Sequence, residues 1–175
     1  MRPIIEKLAL LLSVAILAGC ASGASPIAMK PTSIAPVSTS SIYAKQIGST
    51  DVTGGRETSP LWTSEISDTA FQSALDSALL EGGYIRDGGP LRVAADLIAV
   101  EQPLFGASMT VEMTVRYRVL NSAGRALFDQ TIRTPHTAAY NEAFLGVERL
   151  RLANEGAARA NLAAFLTALR GARPS

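Results

Sequence analysis

The sequence predicts an α+β two-layer sandwich, an antiparallel sheet of three to four strands with two helices packed on one face. Three observations lead there. Three runs between residues 91 and 134 alternate apolar and polar residues with the period of a half-buried strand, and two longer stretches repeat apolar residues at helical spacing. Both kinds of element are apolar on one side only, so a single sheet face and two helix stripes can bury one another.

The first twenty residues fall into three zones: the basic residues Arg2 and Lys7, an apolar run from Leu8 to Leu17, and Ala18-Gly19 ahead of Cys20. That is the layout of a secretory signal peptide. The apolar run is about half of the roughly 20 residues that a membrane-spanning helix needs, so a retained span is the weaker reading. Residues 1–19 are accordingly expected to be a signal peptide. Residues 20–41 join Cys20 to a stretch rich in Ser, Ala, Thr and Pro without amphipathic period. Such composition predicts a flexible tether, spanning on the order of 25 Å. Residues 42–171 form a single α+β domain on this reading, and 172–175 a disordered tail.

Within the domain, Ile42 to Val52 is a patchy candidate strand ahead of Thr53-Gly54-Gly55. Ile66, Ala70, Ala74, Leu75, Ala78 and Leu79 then recur at helical spacing, with Ser64 or Ser67 as N-cap and Gly82-Gly83 as the stop. Trp62, behind Pro60-Leu61, is expected to anchor packing at the helix entrance. In the first alternating run Leu91, Val93, Ala95, Leu97 and Ala99 share a face, and in the second Met109, Val111, Met113, Val115, Tyr117 and Val119 do. The third run, Arg125 to Thr134, puts Ala126, Phe128 and Ile132 together.

A four-residue loop Asn121-Ser122-Ala123-Gly124, closed by Leu120 and Arg125, sets a register for the last hairpin. Tyr117 then faces Phe128, and Met113 faces Ile132. On the outer face Arg116 meets Asp129, Thr114 meets Thr131 and Glu112 meets Arg133, each pair worth roughly 0.2–1 kcal/mol. These arginines are therefore read as structural sheet pairs rather than as an anion-binding patch. The closing helix carries Val147, Leu150, Ala157, Ala158, Leu162, Phe165, Leu166 and Leu169 on its stripe and stops at Gly171, with Pro174 beyond. Asn154 and Asn161 are expected at the border of that stripe.

Leu17-Ala18-Gly19-Cys20 resembles the bacterial lipobox. The resemblance implies that Cys20 is acylated and becomes the mature amino terminus, which makes the membrane a partner through the N-terminal lipid. Ala21 after the cysteine, by similarity to proteobacterial sorting, implies an outer-membrane anchor with the domain facing the periplasm, for a Gram-negative source. With the order of elements, the hairpin Met109 to Thr134 and the Ala-rich closing helix, the chain resembles small outer-membrane lipoproteins of the YajG-like kind. It is also similar in plan to the small lipoprotein subunit of the lipopolysaccharide-export complex.

Charge and residue types narrow the function. Removing Arg2, Lys7 and Glu6 from 16 basic and 15 acidic residues leaves 14 of each, a neutral mature chain without the basic excess of a nucleic-acid binder. The single histidine, His136, and the single cysteine supply neither a hydrolytic triad nor a zinc site. The paired glycines read as turns rather than a phosphate loop, so neither cofactor nor enzyme activity is expected. Two function classes stand. One is a non-catalytic envelope interaction or assembly module that meets a protein partner through the exposed sheet face, an edge strand or the loop Gln102 to Gly106. Leu104 and Phe105 are its candidate contacts, being large apolar residues in a connection, although Phe105 folding back to cap the core is an equal explanation. The other is a lipid or glycolipid binding module, lipopolysaccharide-export accessories included, with Met109 and Met113 lining a cavity between sheet and helices.

Overall fold

Why residues 47–171 fold as they do is visible in a computed structural model, which describes residues 22–59 and 63–172. The signal peptide, Cys20, Trp62, Pro174 and residues 173–175 of the expected tail lie outside the described residues. The elements in chain order are α1 (Pro26–Met29), β1 (Ile47–Thr53), α2 (Asp68–Glu81), β2 (Leu91–Glu101), β3 (Met109–Leu120), β4 (Ala126–Ala138) and α3 (Gly146–Gly171). The strands form one four-stranded sheet in the order β1-β2-β3-β4, with the helices as the second layer. Ser67 caps α2, its hydroxyl accepting from the Ala70 N–H.

Two features depart from expectation in the sheet. β1 lies parallel to β2, so the sheet is mixed rather than wholly antiparallel. A parallel neighbour requires a crossover, and α2 supplies it; alternation within a strand carries no information about its direction. The ladder between β2 and β3 also breaks between Leu97 and Ala99. This bulge leaves Ile98 exposed and turns Val100, rather than Ala99, toward the core opposite Met113.

The hairpin register is two residues from the expected one. Asn121 stays in the ladder, donating to the Arg125 carbonyl at 3.0 Å, and the Gly124 N–H returns to the Asn121 carbonyl at 2.9 Å. Gly124 has a positive φ of 77°, so the loop is the three-residue kind that needs a left-handed last residue. A bulge then places Phe128 opposite Val119 and leaves Leu127 extra, its carbonyl accepting the Tyr43 hydroxyl at 2.9 Å. Ile132 consequently faces Val115, Asp129 faces Arg118 and Arg133 faces Thr114. Each irregularity shifts the pairing by one, and together they restore the faces that a single slip would have inverted.

Residues 24–37 are packed, not a free tether. Ala24 and Met29 are buried, and Ile34 and Val37 rest against the core. The Ser25 N–H donates to Glu155 Oε1 at 2.9 Å, Arg159 Nε donates to the Ala28 carbonyl at 2.8 Å, and the Val37 N–H donates to the Gly82 carbonyl at 2.9 Å. α1 thus bridges the seam between α2 and α3, which touch each other little. Mean composition hid this because only a few apolar residues, widely spaced, do the docking.

The core lies between the inner sheet face and the helix layer, with α3 packed on β3 and β4. Tyr117 stacks on Phe165 with ring centroids 4.1 Å apart, and Phe128 meets the same ring edge-on at 5.8 Å. Gly156, in the middle of α3, sits where any Cβ would overlap the His136 ring. That contact explains a residue which costs a helix about 1 kcal/mol relative to alanine. Pro135 is tolerated beside it because β4 is an edge strand. Asn161, expected at the border of the stripe, is instead fully buried. It accepts from the Tyr117 hydroxyl at 2.8 Å and donates from Nδ2 toward the carbonyls of Met113 and Ile132 and the Thr134 hydroxyl, at 3.0–3.2 Å.

Asn161→Leu should therefore destabilise by about 2–4 kcal/mol in denaturant titration, because it strands the Tyr117 hydroxyl and two carbonyls in a dry core. Burial also holds the Tyr117 phenol protonated well above its ordinary range. A phenol that titrates higher folded than unfolded leaves stability intact below the unfolded value of 10.0 and erodes it as the pH rises toward the folded one. Melting curves across that window should fall for the natural chain, and less steeply for Tyr117→Phe.

Candidate functional site

In an antiparallel order β2 ends, β3 begins and β4 ends at the same end of the sheet, and α3 starts there too. Two loops consequently meet, residues 102–108 between β2 and β3 and residues 139–145 between β4 and α3. Leu104 is 96% exposed, Phe105 85% and Phe144 86%, with Tyr140 and Leu145 exposed beside them. Phe105 does not fold back to cap the core. Pro103, Leu104, Phe105 and Gly106 form one wall of an open groove, and Gly146, Val147 and Leu150 of α3 form the other, over Met109.

One buried side chain ties these loops together. Arg149, on the first turn of α3 and only 6% exposed, donates to the carbonyls of Ala143 at 2.7 Å, Phe144 at 2.9 Å and Gly106 at 3.4 Å. Its guanidinium also lies 5.1 Å from the centre of the Tyr140 ring. Among the described residues no carboxylate pairs with it, so backbone carbonyls and a ring face solvate this charge. The sequence singled out Leu104 and Phe105 but missed Arg149, Tyr140, Phe144 and Leu145. Large apolar residues in the connection after β4 were the same kind of signal and were available.

Behind the tip, Gln102 Nε2 donates to the Ser64 carbonyl at 3.1 Å, to Glu65 Oε2 at 3.3 Å and to Asn154 Oδ1 at 3.0 Å. Asn154 Nδ2 donates to the same Ser64 carbonyl at 2.8 Å. Both asparagines of α3 are thus buried structural ties.

The outer sheet face lies elsewhere and is charge-paired. Arg116 grips Asp129 with two hydrogen bonds of 2.9 and 2.7 Å, and Arg118 reaches Asp96 at 2.8 Å. Arg133 pairs with Glu112, and the Thr110 and Thr137 hydroxyls meet at 2.9 Å. In the observed register Arg116–Asp129 and Glu112–Arg133 are diagonal contacts rather than directly opposed pairs, and Thr114–Thr131 is not a pair. The Arg116 guanidinium holds the Asp129 carboxyl below its usual range.

Among the described residues no three His, Cys, Asp or Glu side chains converge as a metal site. No helix among them is long and apolar enough to cross a membrane. Met109 and Met113 belong to the buried core.

No family model matches the sequence, and no curated protein sequence matches it. Its fold is similar to that of a Xanthomonas campestris protein of family DUF330, at 13% identity over 81% of this chain and 95% of that one, with a TM-score of 0.55. A provisionally assigned lipoprotein from Caulobacter crescentus CB15 is similar at 16% identity, covering 75% of this chain and 96% of that one, with a TM-score of 0.52. A hypothetical protein from Chlamydia trachomatis gives 11%, 73%, 97% and 0.50 in the same terms. The likeness is one of fold.

Arg149→Met should leave the sheet intact while loosening both loops. Hydrogen exchange should speed up for the amides of residues 103–108 and 139–145 but not for β3, with a stability loss of about 1.5–3 kcal/mol. Unchanged exchange in both loops would show that Arg149 does not organise the tip.

Proposed function

We propose that this chain is a small lipoprotein of the bacterial envelope, acylated at Cys20, that acts by docking and not by catalysis, with the apolar tip as its contact surface. The observation that carries this reading is the near-complete exposure of Leu104, Phe105 and Phe144 on loops that a buried arginine holds in place. Clustered exposed apolar side chains mark contact surfaces. They add little to stability where they stand, whereas burying each would contribute about 1.5–3 kcal/mol.

Anchoring is supported by the lipobox-like Leu17-Ala18-Gly19-Cys20, since two or more acyl chains suffice for stable attachment. The fold likeness to a provisionally assigned lipoprotein agrees with it. The finer reading is a YajG-like lipoprotein of the outer membrane with its domain in the periplasm; it rests on the order of elements and on Ala21 following Cys20. Carriage of a lipid or glycolipid is the second reading. It is disfavoured by the packing of Tyr117, Phe128 and Phe165 between sheet and α3, where a ligand cavity would have to open.

Leu104→Ser with Phe105→Ser tests the docking surface. The melting temperature should stay within about 2 °C of the natural chain's, since surface changes rarely exceed 0.5 kcal/mol, while photo-crosslinks from the tip in native envelopes are lost. A melting temperature several degrees lower with every crosslink retained would assign these residues to stability instead.

A further inference from the structure

We infer that the occupant of the tip is the lipid bilayer itself, so that Leu104, Phe105 and Phe144 rest in the surface of the membrane that holds the acyl chains. This deepens the proposed function and rests on the acylation of Cys20.

The course of the N-terminal segment decides the matter. Ile34 and Ala35 lie beside Leu166 and Arg170, near the end of α3. Ala28 is bonded to Arg159 and Ser25 to Glu155. Followed from residue 35 back to residue 25, the chain therefore runs down α3 from its last turns toward its first. The Ala24 N–H then donates to the Glu65 carbonyl at 3.1 Å. The side chain of Glu65 is itself bonded to Gln102, two residues before Leu104. The chain is thus last held beside Thr58 and Glu65, having run along α3 toward the end that carries the tip.

Two lengths agree. From Glu155 to Gly146, where α3 begins between the two loops, is nine residues, about 13 Å of helix. From Ala24 to Cys20 is four residues, a reach of at most about 14 Å. An acylated Cys20 can therefore arrive at the level of the tip but cannot hold the domain well clear of it. The flexible 25 Å spacer expected from composition is replaced by a short leash.

The chemistry of the tip fits a bilayer surface better than a charged protein surface. Residues 103–108 and 139–145 contain one ionisable carboxylate, Glu142, and its Oε1 accepts the Ala139 N–H at 2.6 Å within the loop. The rest is Leu, Phe, Tyr, Pro103, Asn141 and small residues, with Tyr140 suited to the headgroup level.

The test uses the full acylated protein. With the Cys20 thiol consumed, Phe105→Cys, Phe144→Cys and, at the far end of the sheet, Ala123→Cys each present one thiol for an environment-sensitive fluorophore. Each labelled protein is reconstituted into vesicles of phosphatidylethanolamine and phosphatidylglycerol, with and without nitroxide-bearing lipids, and floated on a density gradient. The expected result is that all three float, and that the probes at 105 and 144 shift to the blue and lose about half or more of their emission to nitroxides, at the depth of roughly 5–10 Å of interfacial apolar groups. The probe at 123 should do neither. Floating protein whose probes at 105 and 144 stay as solvent-exposed and unquenched as the one at 123 would overturn the inference while leaving the anchor in place, and crosslinking of the same positions to a protein in native envelopes would then name the other occupant. Protein that fails to float would overturn the anchor and the inference with it.

Discussion

The constraint on which the rest of the structure depends is that α3 buries polar side chains and each must be answered. Arg149, Asn154, Glu155 and Asn161 are all buried on this one helix. An unanswered group of this kind costs about 1–3 kcal/mol, and more if charged, so each dictates the position of what faces it. Asn161 fixes α3 against the carbonyls of β3 and β4, and Asn154 fixes the strand of chain at Ser64. Glu155 takes the backbone of Ser25, and Arg149 takes the backbones of both tip loops. Sheet, leader and tip are therefore positioned relative to one another by a single helix rather than by separate local choices.

On the proposed function, this arrangement would change what an N-terminal lipid does. On a long flexible linker an anchor raises the local concentration of a domain near the membrane without orienting it. Here residues 25–37 are bonded to α3 and α2, so on the proposed function an anchor at Cys20 would act through a short leash on a rigid body. An anchor and a membrane-seated tip would together restrict tilt, with the hairpin turn at residues 122–124 at the far end of β3, some twelve strand residues or about 40 Å away. The charge-paired outer face would then stand along the upright side. Its arginines are already matched by Asp96, Asp129 and Glu112, solvent-screened pairs that add little to stability, and their effect is to keep β4, an edge strand, polar and unattractive to other strands.

What was legible in the sequence was whatever repeats with a period. The stripe of α2, the alternation of β3 and the apolar face of α3 all follow from residue spacing, and the two-layer sandwich follows from them. The irregularities were not legible, because each depends on a partner distant in sequence. The Leu127 bulge is engaged by Tyr43, the docking of residues 24–37 by Glu155 and Arg159, and the register by Asn121 remaining in the ladder. Asn154 and Asn161 look alike on a helical wheel, and only the carbonyls they meet distinguish a buried tie from a border residue. Of the tip, the apolar half in residues 104–105 could be read, but the arginine that organises it could not, since Arg149 lies inside an ordinary amphipathic helix start.

The tip is the one region where local rules and global stability disagree. Connections between elements favour polar residues, yet these two carry Leu104, Phe105, Phe144 and Leu145 in water. A buried guanidinium without a carboxylate partner is an expensive way to hold loops, and short polar turns would have joined the same strands at lower cost. Elsewhere the buried amides of Asn154 and Asn161 are matched by partners. Such costs gathered at one exposed corner are the pattern of a surface shaped by what it touches. Residues 35 to 25 run along α3 toward the end that carries this corner, so on the proposed function the shape of the tip and the course of the chain would share one explanation, a membrane surface.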